Sequence, residues 1–538
     1  MDLTCCRAVV SGTAFGIVAT LGGARAQQVL MEFANPPPYA SSEEFGFGVA
    51  WAGDIDGDGV DDALIAAPFT TATRDGAVYV VSGATGSIIR EHLGPESLAR
   101  LGIGGLAAGA DLDGDGVPDY ALGTADVPYP THEGTAYVYS GATGNLLYTL
   151  VGERPFDGLC CPRFIGDVDA DGVEDLAVIS PGYDASPTKT LAGRAYVYSG
   201  ATMTILYTIT GTKRDMFMTP VCGIGDIDAD GHADFVVGWD GWGAGPNGEG
   251  KIETYSGATG TMIYRIVGEA PNDFFGQSES GLGDVDGDGS PDFMVCAYGH
   301  DIVDSEGRVY VYSGPSGALL YQYDGVYKDE ALGILPLVGH IDLNGDGFGD
   351  ILIYANYVPS GGGSGTGPSE STVFAYSGRT GRLLYEFRGK RVQPLDVYFG
   401  SASSDFGDFN HDGIDDVIFG AEEWNDSNGV HAGRAFVFGG NDLFLQANQL
   451  SYAANDTLTV ANRGGEPGML SMIVLTAVNS TPTFIPILVS TLDSNGELTF
   501  TTTVPSGLSG LTLDFMGYAQ KPSGRGVADS ITETITFQ

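Results

Sequence analysis

The nine residues Asp54-Ile55-Asp56-Gly57-Asp58-Gly59-Val60-Asp61-Asp62 decide how this chain reads. They set acids at positions 1, 3, 5 and 9 and a glycine at position 6. The pattern D-x-[DN]-x-D-G-x-x-D begins again at Asp111, Asp167, Asp226, Asp284, Asp342 and Asp408, with steps of 57, 56, 59, 58, 58 and 66 residues. Self-similarity at such a period is the mark of a repeat architecture. Single Asp-Gly turns are common, but seven near-identical loops at so regular a step are a built feature.

Working outward, each loop is followed by an apolar run, such as Ala63 to Ala67 or Phe293 to Cys296, and then by an alternating aromatic strand ending in Ser-Gly. Val78-Tyr79-Val80-Val81-Ser82-Gly83 and Ala136-Tyr137-Val138-Tyr139-Ser140-Gly141 are examples, and Ala435 to Gly440 is the most divergent copy. A short strand such as Asn145-Leu146-Leu147-Tyr148 follows in six copies. Period-2 alternation with β-branched and aromatic residues predicts strands. Each unit is therefore four strands, A to D, with the acidic loop between A and B. Seven such units predict an all-β chain built as a seven-bladed β-propeller over residues 27–440. The last unit lacks its outer strand, and the segment 27–36 resembles one (Val29-Leu30-Met31-Glu32-Phe33 against Met262-Ile263-Tyr264-Arg265-Ile266), so it is expected to close blade 7 and remove an exposed sheet edge. From 441 to 538 the repeat stops. Short Thr-, Leu- and Val-rich segments separated by turns such as Asp493-Ser494-Asn495-Gly496 predict a C-terminal β-sandwich domain.

The loops point to a hard cation. Ca²⁺ takes about six to eight oxygen ligands, and alternate acids in a tight loop aim at one point. Glycine at position 6 permits the sharp turn. An EF-hand needs Glu at position 12, but here that position is Ile65, Leu122, Val178, Val237, Val295, Ile353 and Phe419, so the acid has moved to position 9 and the site lies between two strands. The expected ligands of up to seven Ca²⁺ ions are Asp54, Asp56, Asp58 and Asp62; Asp111, Asp113, Asp115 and Asp119; Asp167, Asp169, Asp171 and Asp175; Asp226, Asp228, Asp230 and Asp234; Asp284, Asp286, Asp288 and Asp292; Asp342, Asn344, Asp346 and Asp350; and Asp408, Asn410, Asp412 and Asp416. Amide oxygens also ligate Ca²⁺, so the two asparagines fit. His232 in the fourth loop reads as a solvated substitution. Zinc and copper are disfavoured by the lack of His and Cys donors in the pattern.

Bulk composition agrees. The chain has 538 residues, 83 of them glycine, and a net charge of −45. Such acidity argues against nucleic acid, which is bound through Lys and Arg. Of the 69 acidic residues, 26 occupy the loop positions above. Arg7, the apolar run Ala8 to Leu21 and the Ala24-Arg25-Ala26 motif read as a signal peptide over 1–26, which predicts a secreted, cell-surface or periplasmic protein. No later stretch is long and apolar enough for a membrane span, so none is expected in the mature protein. Cys160, Cys161, Cys222 and Cys296 remain after the signal. Cys161 and Cys222 share parity on adjacent A strands and could pair, a vicinal Cys160–Cys161 bond is the other option, and Cys296 reads as a buried thiol.

These motifs resemble the FG-GAP repeats of integrin α-subunit propellers and related bacterial exported proteins. Phe45-Gly46, Phe275-Gly276 and Phe399-Gly400 open three copies, Leu101-Gly102 and Leu332-Gly333 replace the opening in two, and the regions of Cys160-Cys161 and Cys222 read as having lost it. The resemblance implies a calcium-stabilised propeller used for adhesion or for binding an extracellular protein or carbohydrate. On a propeller the A–B and C–D turns share one face and the long B–C connections the other. Loops carry function more often than scaffold strands, which singles out Tyr129, Tyr183, Trp239, Trp242, Tyr298, Tyr357 and Trp424 as candidate ligand contacts. A carbohydrate-active lyase or hydrolase and a structural envelope component are the alternatives. No HExxH or G-x-S-x-G motif and no His cluster supports an enzyme, so no catalytic residue is assigned. Nothing in the sequence names the ligand or the oligomeric state.

Overall fold

The computed structural model describes residues 29–34, 44–70, 75–124, 131–184, 191–212, 219–241, 248–300, 306–325, 330–335, 337–344, 347–359, 369–381, 383–388, 399–400, 402–409, 414–422 and 433–440, and, nearer the C-terminus, 444–447, 451–452, 457–463, 470–478, 481–491, 498–503, 512–520, 527–529 and 533–537. The signal-peptide reading falls outside these residues. Among them there is no helix, and so none long and apolar enough to cross a membrane.

Seven four-stranded antiparallel sheets form a seven-bladed β-propeller. Blade 1 runs Val49–Gly53, Asp62–Ala67, Ala77–Val81 and Ile88–Leu93 as strands A to D, and the later blades repeat that order. Strand A of each blade touches strand A of the next, and that of blade 7 (Ser403–Gly407) touches that of blade 1, so the A strands form a closed inner ring. Strand B is buried on both faces; in blade 1 every residue of Asp62–Ala67 is buried. The seven position-12 residues, from Ile65 to Phe419, are each 0% exposed and fill the space between blades. Strand D is the outer edge and alternates exposed with half-buried positions, as in Met262–Val267.

The outer strand of blade 7 comes from the start of the chain. Val29–Ala34 pairs antiparallel with Arg434–Phe438, bringing Phe33 opposite Ala435. Phe33 is 3% exposed and packs in one cluster with Phe45, Trp51, Ile418 and Val437, which belong to blades 1 and 7. The exposed Glu32 Oε1 accepts a bond from Arg434 Nε at 2.9 Å on the same pair of strands. The repeat's opening residue makes a further link: Phe45 bridges Gly433, as Phe275 bridges Gly250 and Leu332 bridges Gly307, each reaching back to the start of strand C in the previous blade. Leu159 bridges Gly134 in the same way and is 1% exposed. The third repeat therefore keeps its opening, carried by a leucine next to Cys160. The bridge is a backbone pairing, and the residue that makes it is apolar and buried in each case.

The C-terminal β-sandwich has two sheets. One joins Phe444–Ala447, Thr457–Arg463 and Leu498–Thr503. The other joins Ser451–Tyr452, Glu533–Phe537, Thr512–Gln520, Leu470–Val478 and Thr481–Thr491, with Val527–Asp529 added to Thr512–Gln520.

Removing the Phe33 ring is expected to open a cavity at the ring closure. Phe33→Ala should destabilise the propeller by about 3 kcal/mol, whereas Glu32→Ala, which breaks an exposed ion pair, should cost less than about 1 kcal/mol. Thermal melting of the two variants beside the parent checks both values.

Candidate metal centres

Each acidic loop folds around its first and ninth residues. In blade 1 the Asp54 carboxylate accepts the amides of Gly57 at 2.7 Å, Asp58 at 3.0 Å and Gly59 at 2.9 Å, rolling the chain into a tight turn. The bond from the position-6 glycine to the first aspartate recurs at 2.8–2.9 Å in loops 1 to 6. The turn brings oxygens of Asp54, Asp56 and Asp58 within 4.8 Å of one another, and does the same for Asp111, Asp113 and Asp115, and for Asp226, Asp228 and Asp230. In two loops the group is Asp167, Asp169 and Asp175, and Asp284, Asp286 and Asp292. These all-carboxylate donor sets fit a hard cation. Asp171 and Asp288 lie in the same loops, their amides bonded to Asp167 and Asp284. In loop 6, Asp342 accepts the Gly347 amide, and the Asn344 Nδ2 donates to Asp350 at 3.2 Å. Asp346, Asn410 and Asp412 lie outside the described residues, while Asp408 and Asp416 flank loop 7.

The ninth residue does something that spacing alone does not reveal. Asp62, Asp119, Asp175, Asp234, Asp292, Asp350 and Asp416 are all 0% exposed. In every loop one oxygen accepts the amide of the second loop residue, from Ile55 to Phe409, at 2.7–3.0 Å. The other oxygen accepts the amide of the glycine in the C–D turn, from Gly83 to Gly440, at 2.7–3.2 Å. The same carboxylate thus staples the A–B loop to the C–D turn. That explains the Ser-Gly signature. A Cβ at Gly83 would lie 2.0 Å from the Asp61 carbonyl oxygen, and one at Gly141 would lie 1.8 Å from that of Pro118. The preceding Ser82 hydroxyl accepts the Thr85 amide and shapes the same turn.

Burial pushes the carboxyls of Asp62, Asp175, Asp234 and Asp292 up to about 6 against the pull of these amides, and the position-3 neighbours Asp56, Asp169, Asp228 and Asp286 add to the rise. The loops are held together around the ring. Tyr207 donates to the Gly257 carbonyl at 2.7 Å and Tyr264 to that of Gly314 at 2.5 Å, each reaching from strand D to the next blade's turn. Arg90 does this in blade 1, bonding the carbonyls of Gly141 and Ala142. His232 is no free substitution: its Nδ1 lies 2.8 Å from the Val168 carbonyl in loop 3. Asp415 Oδ2 accepts the Asp342 amide at 2.7 Å, joining loops 6 and 7. Trp51 packs against Phe409 at 6.1 Å, joining blades 1 and 7.

A family model for the FG-GAP repeat matches residues 45–81 and 165–198. The chain carries FG-GAP repeats at these residues, on its seven-bladed propeller. Similar proteins include mouse integrin alpha-E, 33% identical over 175 residues covering 30% of this chain and 14% of that protein. Human integrin alpha-7 is 30% identical over 184 residues, 32% of this chain and 15% of that protein. Chicken integrin alpha-V is 28% identical over 242 residues, 40% of this chain and 22% of that protein. The matches span less than a quarter of the length of these relatives.

The aromatic candidates of the propeller have unlike surroundings. Trp239 is inside strand B of blade 4 (Asp234–Trp239), 1% exposed, and its Nε1 donates to Glu253 at 3.0 Å. Burial pushes the Glu253 carboxyl up, but bonds and charge from Lys251, with Tyr255 and Arg265, bring it below its ordinary value. Tyr183 is 4% exposed between two guanidinium groups, Arg194 at 3.7 Å and Arg154 at 4.7 Å from its ring. Neither ring is displayed to solvent, because each is part of a satisfied polar cluster. Tyr298 is half-buried and stacks on Phe274 at 4.9 Å. Tyr129, Trp242 and Trp424 lie outside the described residues, as does the side chain of Tyr357, whose backbone is in strand B of blade 6 (Asp350–Pro359).

The two kinds of acid separate by substitution. Asp62→Ala leaves the Ile55 and Gly83 amides unpaired, at about 1–3 kcal/mol for each buried group, and should lower the melting temperature with calcium or with chelator. Asp58→Ala, at an exposed position, should lower it with calcium and leave the chelated protein nearly unchanged. Equal effects of the two variants in chelator would count against this division of roles.

Proposed function

We propose that the chain is an exported ligand-binding module whose propeller is held by calcium ions, up to seven, in the A–B loops. The observation that carries this reading is the recurrence of one geometry: a buried ninth aspartate fixes the loop, and in five of the described loops three carboxylates converge within 4.8 Å of one another, the ninth residue being one of them in two. Such grouping is repulsive without a counter-charge. A bound divalent cation supplies that charge. Asp at positions 1, 3 and 5, or Asn344 and Asn410 at position 3, would hold it, with the ninth residue closing the site. Calcium suits a loop that offers many protein oxygens, whereas magnesium usually keeps several waters.

A binding role rather than catalysis is supported by the likeness to integrin alpha chains and by the absence of a catalytic motif in the sequence. Export is supported by Arg7, the apolar run after it and Ala24-Arg25-Ala26. An extracellular protein or carbohydrate is the partner that this reading favours, met on the B–C face, opposite the calcium loops. Tyr298 and the candidates Tyr129, Trp242, Tyr357 and Trp424 belong to that face by position in the repeat, and the cation loops would act from a distance by holding the blades in register.

The test uses the mature protein, immobilised and presented with an extracellular-matrix protein panel and a glycan array, with parallel incubation against soluble polysaccharides. Binding without release of fragments, lost on chelation and restored by calcium, is expected. Depolymerisation of a polysaccharide would favour the enzyme reading instead, and binding that survives chelation unchanged would separate the metal from the function.

A further inference from the structure

Strand A of blade 3, Cys160–Phe164, is irregular at its start. Its register against Leu176–Ser180 shifts between Cys160 and Arg163. Cys161 has φ +60°, a left-handed conformation that non-glycine residues rarely adopt. In a regular strand successive side chains point to opposite faces, so neighbouring thiols cannot meet. The bulge at Cys161 cancels that alternation: the Cys160 and Cys161 sulfurs lie 2.8 Å apart. The turned residue is also held from outside. The Cys161 amide donates to the Gly104 carbonyl of the preceding repeat at 2.5 Å. Cys160 is 7% exposed within the core cluster, and Cys161 is half-buried, which leaves it the more approachable of the pair.

We propose that Cys160 and Cys161 form a vicinal dithiol–disulfide site, a reversible covalent latch on the bulge where blade 3 meets Gly104. The thiolate is the reacting species in exchange. The contact with the Cys160 sulfur pulls the Cys161 thiol below its ordinary value against the opposing effect of burial, and the Arg163 guanidinium adds to the pull. Cys161 therefore attacks one sulfur of a small-molecule disulfide and forms a mixed disulfide with it, while the other sulfur leaves and takes up a proton as the first thiol. The Cys160 sulfur then attacks Cys161 Sγ, loses its own proton and releases the second thiol. One Cys160–Cys161 bond forms, one external disulfide is reduced to two thiols, and the two cysteine protons end on them. Ring closure fixes the backbone turn that presents the Cys161 amide to Gly104; reduction releases that restraint. Cys222 does not compete, because its thiol points to its own neighbour, 3.3 Å from the Gly223 carbonyl, and Cys296 is 0% exposed.

The experiment equilibrates the mature protein in glutathione buffers of graded ratio, quenches with acid, denatures, alkylates with a maleimide and maps the peptides by mass. The expected product in oxidised glutathione is an unlabelled peptide holding both Cys160 and Cys161, lighter by two hydrogens than its reduced form. It should disappear with reductant while Cys222 and Cys296 stay labelled throughout. Cys222→Ser should leave this behaviour intact, and Cys160→Ser should instead trap glutathione on Cys161. Maleimide on both Cys160 and Cys161 at every ratio, or a Cys161–Cys222 cross-link, would overturn the proposal.

Discussion

The hydrogen bonds of the ninth loop aspartate hold the two turns of each blade face together. Asp62 and its six counterparts lie fully buried, each spending one oxygen on the A–B loop and the other on the C–D turn. A carboxylate with two amide partners is satisfied where an unpaired one would cost several kcal/mol. Strand B hangs from this residue, because the acid is the last loop position and the apolar run begins at the next. Position, burial and pairing of one side chain therefore fix where strand B starts, how strand C returns and which glycine the turn must contain.

The remaining acids of each loop are placed by that frame and create its main electrostatic problem. Asp54, Asp56 and Asp58 gather at one point beside the buried Asp62, and the pattern recurs around a ring whose A strands touch in sequence. Adjacent loops are mechanically joined, by His232 to Val168 and by Asp342 to Asp415. If each ion binds the folded ring alone, a site at about a hundredfold its dissociation constant adds about 2.7 kcal/mol to stability, and several such sites together rival the whole stability of a domain. Closure by Val29–Ala34 matters for the same reason: it pairs the one blade whose own chain supplies only three strands.

Much of this was legible in the sequence because the repeat states it seven times. The period, the four strands per unit, the loop acids and the apolar position 12 all follow from local spacing, and each position-12 side chain is buried. What the sequence left hidden is long-range. Nothing in the spacing of Asp62 and Gly83 says that they bond, since the partner lies 21 residues away across a hairpin. The third repeat has no Phe-Gly pair at its opening, and only the folded chain shows that Leu159 makes the same bridge. Aromatic residues in B–C segments looked alike in sequence, yet Trp239 and Tyr183 are consumed by the Glu253 and arginine clusters, and such side-chain pairings are set by folding. The bulge at Cys161 was equally hidden, being a backbone conformation rather than a residue pattern.

The most direct test of this account is the metal content of the purified mature protein, counted by elemental analysis and followed by calorimetric titration of the chelated form. The account predicts calcium at no fewer than the five equivalents that the gathered clusters provide for, with the heat of binding lost when magnesium is offered at the same concentration. A protein that carries no divalent ion, takes up none on titration and melts at one temperature whether chelated or not would contradict it.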